Sequence, residues 1–576
     1  MVKRIEDNLN PVNVIIGKDK QKGFYIAKFD SKQVLPRVTM GSTWLAHDKR
    51  YKRKFLVRVV DINYNDNYDL KQILSMVDEN PEQPFDKRSL EYYCAELAWL
   101  RLEGEFTDQG IESVADQPTV LQTFLVPTDK NHDLLIAAPD ISKGFMIGVL
   151  RGGAKREDIP VTLEDRFRGF KTLISGTSGY GKSTLMRNIA RHWLENLKYG
   201  KVIDDLKGEY IADITNESGE TVSGLCHHPL ADKNLYLLTA HPEKYEGLGL
   251  ENDISKVIPL KFSLDDIPPE NLEDVAGRDL TQPQKTFLDM YQDRPGLFRT
   301  LLRETDGSPD TSDWHQIFKG WIVLSKKGEK GVEKDANYET DPSDFLPSSY
   351  TPIHGVIKQL RRLASRPYIS KDNTSCLPML KELLKKGATI ILDKSALTDG
   401  DKTTISTVIA NDLYNHNEKF SSGNKTEQAK VIPFVYIVEE AHLLLSKDKA
   451  KEDSVFVNFA KTGRSFQIGL VAVTQRPSSI DTNILSQFDN YITFRLTNKN
   501  DTEDLFNAKT DFQGYEGDIR TMGRGAAVIA FGEPTKIQSI QVFEWTQERA
   551  QTLLSIEQTQ LMKNMHVDDE DIARND

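Results

Sequence analysis

Through the first 150 residues, apolar and polar positions change over in short runs. Positions 12–16, 23–28, 43–47 and 55–61 are rich in β-branched and aromatic residues, with Gly, Asp or Lys between them. That pattern predicts short strands. Residues 89–103 carry a helical pattern, and further short strands are predicted at 119–126 and 133–138. Strands at such close spacing predict a small β-barrel over about 1–150. From Lys171 the texture changes. A strand at 171–175 meets a Gly-rich loop, then a helix at 182–197 and a strand at 201–205. More strands fit at 235–239, 388–392, 434–438, 469–474, 491–496 and 526–531. Strand and helix alternating in this way predict an α/β fold, a parallel sheet with helices on both faces.

Between about 260 and 380 the strand signal fades. Helical segments at 283–292 and 352–365, with polar loops at 304–312 and 326–347, predict a mostly helical insertion. The predicted order is a barrel at 1–150, a first part of the core at 151–260, the insertion at 261–380, a second part of the core at 381–545, and a C-terminal helix with an acidic tail at 546–576. The tail holds Asp568, Asp569, Glu570 and Asp571.

Composition narrows the classes. The chain has 576 residues, enough for about three or four domain-sized units, or two with a large insertion. With 38% hydrophobic and 28% charged residues, packed cores are expected rather than general disorder. A net charge of −12 excludes a surface that coats nucleic acid all over, and leaves room for a local basic channel. Cys94, Cys226 and Cys376 are too few and too scattered for a disulfide framework or a CxxC zinc site. No apolar run reaches about 18 residues, so no membrane span is expected. The opening MVKRIEDNLN has no apolar core and does not read as a secretory signal. The expected setting is cytoplasmic.

The strongest chemical signal is Gly176-Thr177-Ser178-Gly179-Tyr180-Gly181-Lys182-Ser183, which fits GxxxxGK[ST] between a strand and a helix. Glycines let the backbone turn with positive φ and bring its N–H groups close to phosphate oxygens. The helix starting near Lys182 adds the positive end of its dipole. In this arrangement Lys182 neutralises the β- and γ-phosphates, Ser183 ligates Mg2+, and Thr184 helps hold the helix start. No motif that reads a base is visible.

A second site follows the apolar strand at 434–438, which ends in Glu439, Glu440, Ala441 and His442. Acids directly after a buried strand are costly unless they serve a cation or a water. Glu439 is the candidate Mg2+ ligand and Glu440 the candidate activator of the attacking water. A pair of surface acids at a helix start is the alternative. His442 suits either a relay or simple packing. Gln475 ends the next strand, where a γ-phosphate sensor would sit. Arg464 could reach a neighbouring subunit's nucleotide as a finger, with a surface ion pair as the alternative. Lys447, Lys449 and Lys451 are candidate channel residues. The basic run Lys49, Arg50, Lys52, Arg53 and Lys54 reads as a solvated face or a docking surface.

Taken together these residues resemble the HerA branch of the HerA/FtsK ATPases. The resemblance rests on IGVLRGG and IPVTLEDRF leading into GTSGYGKST, on Asp205-Leu-Lys-Gly-Glu209-Tyr210, on VEEAH, on KTGRSFQIGLVAVTQRPSSID, on ILSQFDNYITFRL and on GRGAAVIAFGE. It covers about 151–545 apart from the insertion. It implies a RecA-like P-loop core behind a small N-terminal β-barrel, ATP with Mg2+ bound between subunits, and a homo-hexameric ring with duplex DNA through its centre. It also implies Gln475 as sensor, Arg464 as the finger in trans, and a further arginine before the loop, with Arg166 and Arg168 both near. Asp205 and Glu209 match a family motif, with a tight turn at Gly208 as the plain alternative. Proteins of this kind work with a separate nuclease, and relatives in antiphage defence pair with a nuclease or a sirtuin-like NAD-cleaving effector. The expected function is therefore an ATP-driven DNA translocase or helicase. The alternative is a nucleotide-dependent ring scaffold that assembles and activates such an effector.

Overall fold

The computed structural model describes residues 14–19, 23–29, 43–64, 96–107, 110–112, 117–127, 144–150, 160–215, 219, 221–246, 256–267, 281, 284, 350–372, 374–448, 454–509, 512, 515–531 and 536–543. The chain forms two compact units. One comprises 1–192, 440–450 and 471–576, the other 193–439 and 451–470.

The first unit opens with an antiparallel barrel. Its strands are β1 (Val14–Lys18), β2 (Tyr25–Phe29), β3 (Thr43–Asp48), β4 (Arg53–Tyr64), β5 (Glu96–Thr107), the short β6 (Gly110–Glu112) and β7 (Thr123–Pro127). They run in the order β2-β1-β7-β3-β4-β5, and β5 closes back on β2 through pairs such as Ala27↔Ala98. Closure removes the unpaired edges that an open sheet would expose. Alternate positions point inward, so Ile15, Ala27, Phe29, Trp44, Phe55, Val57 and Leu100 form one core. Phe29 meets Trp44 edge to face at 5.0 Å.

The helix expected at 89–103 is corrected here: from Glu96 onward the chain is strand β5. Ala98 and Leu100 are fully buried in the barrel core, and pairing to β4 on one side and β2 on the other overrides the local helical pattern. Residues 89–95 lie outside the described residues, as does the strand expected at 133–138.

A buried ion pair links the adjacent strands β4 and β5. Arg58 on β4 and Glu103 on β5 have side chains 0% and 2% exposed, and are joined by bonds of 2.5 Å (Nε to Oε1) and 3.0 Å (Nη2 to Oε2). Tyr515 also donates to Glu103, and the Arg58 guanidinium stands 5.5 Å from its ring. Removing one partner strands a charge without water. Glu103→Ala is therefore expected to lower stability by about 3–5 kcal/mol in urea unfolding, whereas the double replacement Arg58→Met with Glu103→Leu recovers most of the loss.

The first unit continues with a sheet built from β8 (Gly144–Leu150), β9 (Pro160–Glu164), β10 (Lys171–Ser175), β19 (Asn490–Phe494), β20 (Ala526–Phe531) and β21 (Lys536–Val542). β10 and β19 are parallel, and β19, β20, β21, β8 and β9 follow as antiparallel neighbours. The stretch 144–150, read from sequence as the end of the barrel domain, pairs with β21 and β9 instead. An alternating strand carries its period in its sequence but not the identity of its partner.

In the second unit β11 (Gly200–Asp205), β14 (Leu235–Thr239), β15 (Val257–Pro259), β16 (Thr389–Asp393) and β17 (Phe434–Val438) form an all-parallel array in the order β15-β14-β16-β11-β17. A two-residue ladder, β12 (Ile214–Thr215) with β13 (Thr221–Val222), lies beside it in sequence. Every residue of β11, β16 and β17 is buried. Both faces are thus covered, which explains why β17 is apolar throughout and why the centres of β11 and β16 are apolar, with aspartates only at their C-terminal ends. Strand β18 (Ile468–Thr474), also wholly buried, ends in the first unit.

Helices α1 (Lys182–Glu195), α2 (Tyr350–Ala364), α3 (Leu377–Lys385) and α4 (Asp399–Ser421) accompany these strands. The Thr398 side chain caps α4 by accepting from the Asp401 N–H. Helices α5 (Val455–Thr462), α6 (Lys499–Ala508) and α7 (Glu516–Thr521) follow. The two sides of the expected insertion meet, because Phe262 bridges Ile369 and the Cys376 N–H donates to the Lys261 carbonyl. The loops expected at 304–312 and 326–347 and the C-terminal helix and tail lie outside the described residues. So does the helix expected at 283–292, apart from Gln284.

Candidate nucleotide site

The phosphate-loop motif lies in the first unit, between the end of β10 and the start of α1. Its glycines are dictated by space and dihedral. Gly176 has φ of +151°, and a Cβ there would stand 2.6 Å from the Phe494 Cβ. Gly181 has φ of +112°, and a Cβ there would meet the Phe494 ring at 3.0 Å and the Gly525 Cα at 3.2 Å. Any larger residue would push the loop off its support.

Backbone bonds hold the loop at several points. Gly176 N–H donates to Thr474 O (3.3 Å), Thr177 N–H to Arg495 O (2.8 Å), and Gly525 N–H to Tyr180 O (3.0 Å). Ser178 and Gly179 form an exposed tip. The Lys182 ammonium donates to Gly176 O at 2.7 Å and Thr177 O at 3.0 Å, which keeps it over the loop it belongs to. Ser183 and Thr184 follow in the first turn of α1, half-buried.

The same unit contains Glu440, held in the left-handed conformation (φ 48°, ψ 48°) at the head of a one-turn helix over Ala441–Leu443. A non-glycine residue persists there only where its surroundings hold it, and such strain gathers at functional positions. Gln475 Nε2 donates to Glu440 Oε1 at 2.6 Å, and His442 Nδ1 lies 3.4 Å from Oε2. Burial, with the nearby Arg476 charge, keeps the His442 imidazole below its ordinary pKa against the pull of Glu440. An open cleft of about 420 Å³ has Thr177 of the loop and Gln475 on its walls, with Arg476, Ser478 and Asp501. Asp501 anchors that wall by accepting from both the Ser478 N–H (3.0 Å) and hydroxyl (2.6 Å). Loop residue and candidate sensor therefore face one space.

In the second unit, Glu439 at the end of β17 accepts from the Tyr210 hydroxyl at 2.7 Å and from the Leu206 N–H at 3.4 Å. Burial raises its carboxyl above the usual range, and the neighbouring Asp205 charge adds to this while Tyr210 opposes it. Asp205 is likewise raised by burial. Its carboxylate gathers the N–H groups of Lys207, Gly208, Glu209 and Tyr210 at 2.7–3.2 Å, around the positive φ of Gly208. The motif at 205–210 thereby gains a physical role. Asp205 folds the turn, and the turn delivers the buried Tyr210 to Glu439.

The remaining candidates lie elsewhere. Arg464 is exposed in a one-turn helix after α5, in the second unit. Arg166 stands 6.0 Å from the Phe170 ring, Arg168 is exposed, and both belong to the first unit. Lys447 is exposed, whereas Lys449 and Lys451 are outside the described residues. In the barrel, Lys49, Arg50 and Lys52 are exposed on the β3–β4 turn, and Arg53 pairs with Glu105. Two supports escaped the sequence reading. Tyr210 binds Glu439 across 229 residues, and Arg495 binds Tyr180 across 315. No local spacing encodes either.

Comparison with known proteins adds a family. Residues 145–413 match the model described as the central domain of helicase HerA. The DNA double-strand break repair helicase HerA of Pyrococcus furiosus is 24% identical over 315 residues, an alignment that takes in 50% of this chain and 55% of that protein. Its namesake from Sulfurisphaera tokodaii is 22% identical over 535 residues, covering 90% of this chain and 87% of the relative. Among solved structures, VirB4 of Thermoanaerobacter pseudethanolicus is 14% identical over 70% of this chain and 96% of its own, with a TM-score of 0.40. The bacterial conjugative coupling protein TrwB is 13% identical over 66% and 87%, with a TM-score of 0.39. No helix among the described residues is long and apolar enough to cross a membrane. Residues 145–413, with the phosphate loop among them, are thus identified as a HerA-type P-loop ATPase domain.

Proposed function

We propose that the chain hydrolyses ATP to drive duplex DNA through a homo-hexameric ring, in concert with a separate nuclease or NAD-cleaving effector such as those of antiphage defence. The observation that carries this reading is the phosphate loop in the same unit as the Gln475-bound Glu440, with Thr177 and Gln475 on one cleft. A nucleotide pocket alone would need the loop, whereas hydrolysis also needs a held carboxylate to take a proton.

Lys182 and the amides of 177–184 bind the phosphates. The Ser183 hydroxyl and the Glu439 carboxylate are hard oxygen donors of the kind Mg2+ prefers, and they would hold it. When bound, the ion neutralises charge on the β- and γ-phosphates. Glu440 orients the attacking water and accepts its proton. Gln475, already in contact with that carboxylate, reports the γ-phosphate. The exposed Arg464 supplies positive charge to the nucleotide of the adjacent subunit, an effect worth about 10³–10⁵ in rate in other NTPases.

Mixing tests the shared site. Arg464→Ala and Glu440→Ala proteins, each expected to be inactive in DNA-stimulated ATP hydrolysis, should regain activity when co-assembled, because some interfaces then hold both intact halves. Mixed rings, verified by native mass, that stay inactive would remove Arg464 from the mechanism.

A scaffold reading is favoured by one feature. The barrel exposes Lys49, Arg50 and Lys52 together with Tyr51 (59% exposed) and Leu121 (64% exposed). Cations interleaved with large apolar groups suit a protein surface, and on this reading the ring would organise an effector with translocation secondary.

A further inference from the structure

The segment Phe494–Arg495, which leaves β19, touches the phosphate loop at its beginning, its shoulder and its end. The Phe494 side chain fills the space that a Cβ would need at both Gly176 and Gly181. The Arg495 carbonyl accepts from the Thr177 N–H. The Arg495 guanidinium then reaches Tyr180. Its Nη1 donates to the phenolic oxygen at 2.9 Å, and its centre lies 5.3 Å from the ring. On the other side of the loop, the Gly525 N–H holds the Tyr180 carbonyl. The Arg495 Nε is buried and has no acceptor among the described residues, so Tyr180 is what holds this side chain in place.

We propose that Arg495 is a positioning residue for nucleotide binding: it locks Tyr180, and through Tyr180 the phosphate loop, in the conformation that receives the phosphates. This inference rests on the nucleotide-site reading above. A glycine-rich loop has the most conformational freedom to lose when it closes on an anion. Whatever fixes it beforehand lowers the cost of binding rather than the barrier of the chemical step. The lock combines a hydrogen bond, which needs the phenol, with a cation–ring contact, which needs only the ring and the charge. Removing the phenolic oxygen should therefore weaken the lock in part, and removing the guanidinium should abolish it.

A double-mutant cycle on the full chain tests this, with fluorescent mant-ATP binding and steady-state hydrolysis as readouts. Arg495→Ala is expected to raise Kd and KM about tenfold while kcat stays within about twofold. Tyr180→Phe should raise Kd about threefold, and should add nothing in the Arg495→Ala background, since the interaction is then already gone. Arg495→Lys, which keeps the charge but not the planar fork, should fall between wild type and Arg495→Ala. Independent, multiplying effects of the two substitutions would overturn the proposal, as would an unchanged Kd in Arg495→Ala. Hydrogen exchange at 176–184 in nucleotide-free protein provides a second readout, in which Arg495→Ala should speed loop exchange about tenfold with the rest of the map unchanged. Wild-type protein that fails to bind mant-ATP while the exchange difference persists would refute the nucleotide reading and leave the lock standing. An unchanged loop with normal wild-type binding would refute the lock alone.

Discussion

Glu440→Gln is expected to bind ATP as tightly as the wild type and to hydrolyse it about 10²–10⁴-fold more slowly, the range spanned by loss of a positioned general base. The geometry makes the substitution unusually clean. Glu440 Oε1 accepts from Gln475 Nε2, and the amide oxygen of the replacement can accept from the same donor. The left-handed backbone at this position is carried by an unbranched side chain in both cases. What disappears is the capacity to take a proton. The neighbouring His442 does not replace it as a partner of opposite charge, because burial keeps its imidazole toward the neutral form. Equilibrium binding of mant-ATP and single-turnover hydrolysis separate the two quantities. Loss of binding together with turnover would mean that Glu440 supports the fold of the site rather than its chemistry. The same variant distinguishes the two functional readings, since an effector that is still activated by it would favour the scaffold.

Lys182→Ala should be damaging in two ways, because it touches binding as well as chemistry. The ammonium is already gathered onto the loop by the Gly176 and Thr177 carbonyls, close to where the phosphates are expected. Its removal deletes the main fixed positive charge of the motif and leaves those two carbonyls facing incoming anions unneutralised. ATP hydrolysis is expected to fall by about 10²–10³-fold or more, with weaker nucleotide binding, in line with the loss of a charge aimed at a developing anion. The side chain is half-buried at the start of a helix, so the melting temperature should change little. A variant with unimpaired hydrolysis would show that the loop is not the nucleotide site.

Much of the architecture was legible beforehand. The strands at 171–175, 235–239, 434–438 and 526–531 coincide with β10, β14, β17 and β20, because largely buried strands write themselves as short runs rich in apolar residues between turn residues. The helix at 352–365 was legible as α2 for the corresponding reason, a stripe with helical period. β5 was not, since its sequence ELAWLRLEGEFT is rich in good helix formers. Only pairing on both edges within a closed barrel makes it a strand.

The candidate site divides in the same way. Lys182, Ser183, Glu439, Glu440 and Gln475 announce themselves because each sits at the end of a recognisable strand or the start of a helix, where phosphate and carboxylate chemistry demands particular residue types at particular spacings. Their supports do not. Tyr210 beneath Glu439, Arg495 against Tyr180, and Phe494 under two glycines are ordinary residues whose roles arise from contact.

The sequence by itself thus determined the alternation of strands and helices, the phosphate-binding turn and the chemical identity of the residues around it, because periodicity and motif spacing act over a few neighbouring positions. The tertiary structure alone decided which sheet 144–150 joins, that 96–107 is extended, and which side chains hold the loop and the glutamates in place. These depend on surfaces contributed by residues tens to hundreds of positions away, and nothing in a local pattern records the free energy of meeting them.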